Sequence, residues 1–203
     1  MIEKYTDINE IEKDALGEIA NIGTGKAILA LNQMTDTPIQ IELPAFRIIS
    51  YQEAPNLLGD QEIVTTGILL EVNGDLQGMF MFLLSDEFTN QVSKLMLDSI
   101  EGDPIDEELG NSAILEMGNI MCCSYLNAIH QLTGLNMMVE VPDICKDMVG
   151  ALLSIPMIHS AQLDDSMLFI KTKIHFNDSS LPCHILFLPE VESLQRMVET
   201  LGM

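Results

Sequence analysis

Basic residues are scarce in this chain, tryptophan is absent, and tyrosine occurs three times. Proteins that grip a phosphate backbone cluster Lys and Arg on one face. Here nine such residues are scattered among 31 carboxylates, giving a formal net charge of −22 over 203 residues. That imbalance excludes nucleic acid as a partner and disfavours an anionic membrane surface. A partner with a basic rim suits the chain better, and the acidity also serves solubility. Without Trp there is no aromatic platform for a sugar, so paired carboxylates do not read as a glycosidase.

Metal-binding and disulfide signatures are also missing. Cys122, Cys123, Cys145 and Cys183 form no C-x-x-C pair, and His130, His159, His175 and His184 lack the short ligand spacing of a zinc site. The cysteines read as free buried thiols in a reducing compartment. The longest nearly uncharged apolar run, Met148 to Ile158, falls far short of the ~20 residues of a membrane span. The first residues carry no basic stretch followed by an apolar one, so no secretory signal is expected. The expectation is a soluble cytoplasmic protein. Hydrophobic residues make up 47% of it, enough for a core that needs no staple.

The chain repeats itself. Shifted by 98 residues, Asp14–Pro44 falls on Ser112–Pro142 without a gap, and nine of the 31 positions are identical, among them Glu18/Glu116, Asn21/Asn119 and Pro44/Pro142. Downstream, Gly67–Val72 and Gly78–Leu84 read as a hairpin around Asn73-Gly74. Met167–Phe176 and Cys183–Leu188 read as its counterpart, joined by the looser Asn177–Pro182. Helical patterns follow at Asp86–Asp98 and Glu190–Leu201. An acidic segment, Glu101–Glu108, joins the halves, with Gly102 and Pro104 as breakers. The reading is an α/β (α+β) fold in one domain. It has two helix–strand–hairpin–helix halves, about residues 1–100 and 105–203, sharing a continuous sheet with pseudo-two-fold symmetry.

Asp14, Glu18 and Asn21 lie at i, i+4 and i+7, within about 60° on a helix. Gly25 joins this stripe, and Leu16, Ile19, Gly23, Ala27, Ala30 and Leu31 form the packing face. The second copy repeats the pattern with Ser112, Glu116, Asn119 and Cys123 outward and Ile114, Met117, Met121, Tyr125 and Ile129 inward. One polar stripe is an ordinary solvated face. Two copies that keep Glu and Asn while their neighbours change point to use. A carboxylate can grip a partner's cation or act as a base. An amide donates and accepts at once and can fix a water, which is what phosphoryl transfer asks of a water-positioning residue. Gly23-Thr24-Gly25-Lys26 is not a phosphate loop, because Ala20 and Ala27 stand where that motif needs Gly and Ser or Thr.

Asp14-x3-Glu18-x2-Asn21-x22-Pro44 and Ser112-x3-Glu116-x2-Asn119-x22-Pro142 resemble the signature of the CheC/CheX/FliY family. These phosphatases act on the aspartyl phosphate of the chemotaxis response regulator CheY. The resemblance implies two motif helices side by side on one surface. It implies that Glu18 and Glu116 contact the receiver domain and that Asn21 and Asn119 orient the hydrolytic water, with Asp14, Ser112, Pro44 and Pro142 completing the motif. Mg²⁺ would come with the phosphorylated CheY, and the chain would hold no cofactor or metal of its own. The receptor deamidase CheD would be a further partner, docking near Asp147 in the segment KDMVGALL, which looks like a short helix. The alternative is a non-catalytic adaptor or flagellar-switch module that binds CheY or CheD.

Overall fold

The computed structural model describes residues 2–35, 38–58, 61–97, 106–160, 165–176 and 179–202. The junction breakers Gly102 and Pro104 lie outside them, as do Asn177 and Asp178. The first long helix, α1 (Glu10–Met34), starts at a capping box: Asn9 Oδ1 accepts from the Ile11 and Glu12 amides, and Glu12 Oε2 accepts from the Asn9 amide. Its counterpart α4 (Glu107–Thr133) starts at Asp106, which accepts from the Glu108 and Leu109 amides. It stops at Gly134 in the left-handed conformation.

Each long helix is followed by an edge strand in two pieces: β1 (Ile39–Ile41) and β2 (Ala45–Ser50), then β5 (Met137–Val139) and β6 (Asp143–Met148). The hairpins are β3 (Val64–Gly74) with β4 (Gly78–Leu84), and β7 (Ser166–Phe176) with β8 (Ser179–Pro189). Short helices α2 (Ala54–Leu58) and α5 (Val149–Ser160) follow the edge strands, and α3 (Asp86–Met96) and α6 (Val191–Thr200) follow the hairpins. The eight strands form one antiparallel sheet, with β7–β8–β4–β3 in the middle. The shared sheet is as expected, but the halves are interlocked rather than adjacent. Strands β1 and β2 of the first half pair with β7 of the second, while β5 and β6 pair with β3 of the first.

Pro44 and Pro142 sit where the edge strands break. From Ile41 opposite Ile174 to Ala45 opposite Lys171, the edge advances four residues against three. From Val139 opposite Val72 to Asp143 opposite Leu69 it does so again. A residue without an N–H fits such an edge bulge. The first hairpin pairs Val72 with Gly78, the strand ends read from the sequence, and its connection opens with Asn73-Gly74. Asn73 and Gly74 stay in β3, opposite Met138 and Met137 of β5, and the turn falls at Asp75–Gln77. Gly74 has φ +121°, and a Cβ there would lie 2.5 Å from the Asn136 carbonyl oxygen, so close cross-strand approach explains this glycine.

Strand β4 is buried on both faces. Phe80, Phe82 and Leu84 enter the larger core with α1, α4, α3 and α6, and Met79, Met81 and Leu83 enter a smaller one with α2 and α5. At the centre, Phe80 and Phe187 are paired across β4 and β8 and stack at 4.3 Å between ring centroids. Tyr125 of α4 packs on Phe80 at 5.8 Å, and its hydroxyl bonds Thr24 of α1 at 2.6 Å. Gly23 faces the same ring so closely that any Cβ would overlap it. Among the described residues, no helix is long and apolar enough to cross a membrane.

Gly23→Ala should therefore lower stability by about 1–3 kcal/mol through overpacking. Tyr125→Phe should cost about 1 kcal/mol, because it leaves the buried Thr24 hydroxyl without this partner. Urea denaturation at constant slope checks both. A pH effect comes from His184, whose ring lies parallel to Phe169 beside the smaller core. Burial, and then the charge of Lys171 opposite it in the ladder, lower its pKa from 6.5 to about 4. Below the unfolded value the unfolded chain takes up a proton that the fold refuses, so stability should fall as pH drops from about 6.5 toward about 4. Between about pH 7 and about pH 5.5 the loss should be about 1 kcal/mol, and His184→Leu should remove that share of the slope in parallel urea titrations.

Candidate functional site

The two long helices pack against each other above one sheet face and turn their motif stripes outward. On α1, Leu16, Ile19, Gly23, Ala27 and Leu31 are buried and Ala30 is half-buried, while Asp14 and Glu18 are exposed and Asn21 is half-buried. On α4, Ile114, Met117, Met121, Tyr125 and Ile129 are buried, Ser112 and Glu116 are exposed, and Asn119 is half-buried. The expected division of faces holds in both copies. The Ser112 hydroxyl donates to the Glu108 carbonyl at 2.9 Å.

The two stripes are not identical in detail. Asn21 Nδ2 donates to Glu18 Oε2 at 3.3 Å, so the carboxylate and amide of the first copy touch. In the second, the Cys123 thiol donates to Asn119 Oδ1 at 3.7 Å. Gly25 occupies the matching place on α1, is exposed, and has no side chain to offer. Burial, and then the charge of Glu116, push the Cys123 thiol pKa up, so it stays protonated and able to donate. The thiols are less uniformly buried than the sequence suggests: Cys122 and Cys183 are buried, Cys123 is half-buried beside Asn119, and Cys145 is exposed on edge strand β6. Burial pushes the Cys183 thiol up to about 12.

Beside the first stripe runs an open groove. Asp14, Gly17, Glu18 and Asn21 form one wall, and Phe46 and Ile48 of β2 form the other. The contribution of β2 was not read from the sequence. Gly17 was the available signal, since it leaves the helix bare where Leu115 of the second copy packs against the core. Pro44 and Pro142 are not on the stripes; they shape the edges on which β2 and β6 run. Asp147 is exposed near the end of β6, opposite Thr65, and its Oδ1 accepts from the Met148 amide at 2.7 Å. The segment KDMVGALL is thus not one helix. Lys146–Met148 complete the ladder to β3, and the helix begins at Val149.

Chemically, each stripe offers a solvent-facing carboxylate and a neutral amide one turn later. Neither stripe contains a hydroxyl or thiol paired with a base, the arrangement a nucleophile needs. Among the described residues, no group of three or more His, Cys, Asp and Glu is arranged to hold a metal ion. The stripes can bind a cation and orient a water or phosphoryl oxygen presented from outside.

The CheC-like family matches the chain twice, over residues 11–48 and 109–145, once on each helix and its edge strand. The Bacillus subtilis (strain 168) protein named CheY-P phosphatase CheC is 28% identical over 203 residues, covering 98% of this chain and 97% of that protein. Among solved structures, Thermotoga maritima FliY superposes with a TM-score of 0.75 at 18% identity, over 96% of this chain and 98% of that one. The FliM middle domain from H. pylori does so with a TM-score of 0.66 at 9% identity, over 95% and 99%. Those two likenesses concern the fold alone. With a match on each half and a relative aligned along nearly the whole length, the chain is similar to the CheC-like family on both motif helices and their edge strands.

Proposed function

We propose that the protein is a phosphatase for the aspartyl phosphate of a CheY-type receiver domain, acting as one domain of two repeats. The observation that carries this reading is the recurrence of an exposed Glu and a half-buried Asn, one turn apart, on two adjacent helices. The family relative named CheY-P phosphatase supports the substrate class. Glu18 and Glu116 engage a cationic side chain at the rim of the receiver's pocket. Asn21 and Asn119 enter the pocket and hold a water in line with phosphorus. Attack by that water breaks the bond between phosphorus and the aspartyl oxygen, releasing inorganic phosphate and a free aspartate. The receiver brings the phosphoryl group and its Mg²⁺; this chain adds orientation, which is most of what such a transfer needs.

CheD is a second partner in this reading, docking at the edge formed by Asp147 and the start of α5, and the site of action is the cytoplasm. A non-catalytic adaptor or switch module is the competing reading, favoured by the likeness in fold to FliM. The paired Asn residues discriminate, because a holding surface alone gives no reason for a buried-edge amide at both positions.

Phosphate release from phosphorylated CheY tests the proposal. Asn21→Ala and Asn119→Ala should each lower the rate, and the double variant should lose the acceleration altogether. Loss of one positioning group costs about 10²–10³ at its own site. Full activity in the double variant would exclude the mechanism, and no acceleration by the wild type would favour the adaptor. In an Asn21→Ala background, Glu116→Ala should raise KM, whereas restoring Asn21 and removing Asn119 should leave a first-site KM untouched by Glu116→Ala. High salt should weaken the Glu116-containing site more than the variant, since the exposed ion pair is screened.

A further inference from the structure

Large apolar side chains stand exposed at matching places on the two motif helices. Ile11 on α1 is 69% exposed and Leu109 on α4 is 57% exposed. They are 98 residues apart, the period of the repeat, each follows a glutamate, Glu10 and Glu108, and both are large aliphatics although the residue type changes. Ile11 lies seven residues before Glu18 and three before Asp14, so Ile11, Asp14, Glu18 and Asn21 share an arc of about 80°. Leu109, Ser112, Glu116 and Asn119 share the same arc on α4. Burial of the opposite faces in both helices fixes this arc outward.

We infer that Ile11 and Leu109 are the apolar anchors of the two receiver-docking surfaces, each seated in an apolar depression beside the receiver's active-site cation. The inference rests on the proposed phosphatase reading and extends it to residues that set affinity. Continuity is the first argument: a partner that covers Asn21 and Glu18 on one straight stripe must also cover the residue two turns back. Recurrence is the second: an isolated exposed aliphatic needs no explanation, but two at one repeat position, on the same face as two recurring polar pairs, do. Charge is the third. Asp14 and Glu18 share the face of Ile11, with Glu10 paired to Lys13 beside it, and Glu107, Glu108 and Glu116 flank Leu109. The complementary surface is therefore basic with an apolar centre, which excludes a second copy of this acidic chain as the natural occupant. An aliphatic anchor ringed by polar contacts is the usual anatomy of a small energetic centre in an interface.

The experiment uses the full chain and a CheY-type receiver held in its phosphorylated form by beryllofluoride. Isothermal titration should show about tenfold weaker binding for the Ile11→Ala/Leu109→Ala double variant. Ile11→Leu and Leu109→Ile should bind like the wild type. Urea midpoints should stay unchanged, because both side chains are exposed. In turnover, Ile11→Ala should raise KM and spare kcat in an Asn119→Ala background, and should have no effect in an Asn21→Ala background. Leu109→Ala should behave in the converse way. Unchanged binding by the double alanine variant overturns the inference, whatever the Asn variants do. Weakened binding together with full hydrolysis in the double Asn variant would keep the docking surface and remove the catalytic reading. Weakened self-association by sedimentation, with receiver binding intact, would assign the residues to a homodimer and overturn the inference.

Discussion

The Tyr125 ring is the point on which both long helices and both central strands converge. Its ring lies against Gly23 of α1, its hydroxyl reaches Thr24, and it packs at a tilt on Phe80, which stacks on Phe187 across the sheet's midline. Burial raises the phenol pKa well above its ordinary value, so the group remains a neutral donor or acceptor for Thr24 throughout the physiological range. The close approach of the helices depends on Gly23, and the depth at which α4 sits depends on Gly118, whose missing side chain admits Ile68 of β3. Because Asn21 and Asn119 lie within a turn of these contacts, the crossing also sets how far apart the two candidate sites stand. The sites are thus placed by rigid helices rather than by loops, which suits a task that consists of orientation.

The strong negative charge is spread over a surface with few ion pairs among the described residues. The bridges formed are exposed, such as Lys13 with Glu10 at 2.7 Å and Lys146 with Asp86 at 2.8 Å, and such pairs contribute little to stability. The fold is held by its two apolar cores and its ladder, while the motif carboxylates Glu18 and Glu116 stay exposed.

Much of this was legible in the sequence because the chain states it twice. The 98-residue period follows from residue identities between the halves, the inward and outward faces of α1 and α4 from apolar periodicity, and the two hairpins from strand patterns and turn residues. Three features did not. The exchange of edge strands between halves is invisible, since β1, β2, β5 and β6 carry local strand patterns that name no partner. The Asn73-Gly74 turn signal marks where β3 parts from β4, but not that both residues go on to pair with β5. Gly74 is required by its neighbour across the ladder. The last residues of β6, Lys146–Met148, read as the start of the short helix KDMVGALL, because the apolar run after them continues into α5. At the site, the Glu and Asn positions came from spacing, whereas the wall made by Phe46 and Ile48 depended on which strand the helix lies beside.

The interlocked pairing has a consequence for how the chain is made. Strand β3 cannot gain its outer neighbour until β6 has been synthesised, and β2 waits for β7, with Ala45 opposite Lys171. Neither repeat can complete a sheet as it leaves the ribosome, so the usual order of N-terminal unit first, C-terminal unit second, is closed to this topology. Contacts so distant along the chain slow folding. Until the second half emerges, the nascent first half exposes the apolar edge of β3 and the underside of α1. A chain written in two similar halves is in this way one that must be born whole.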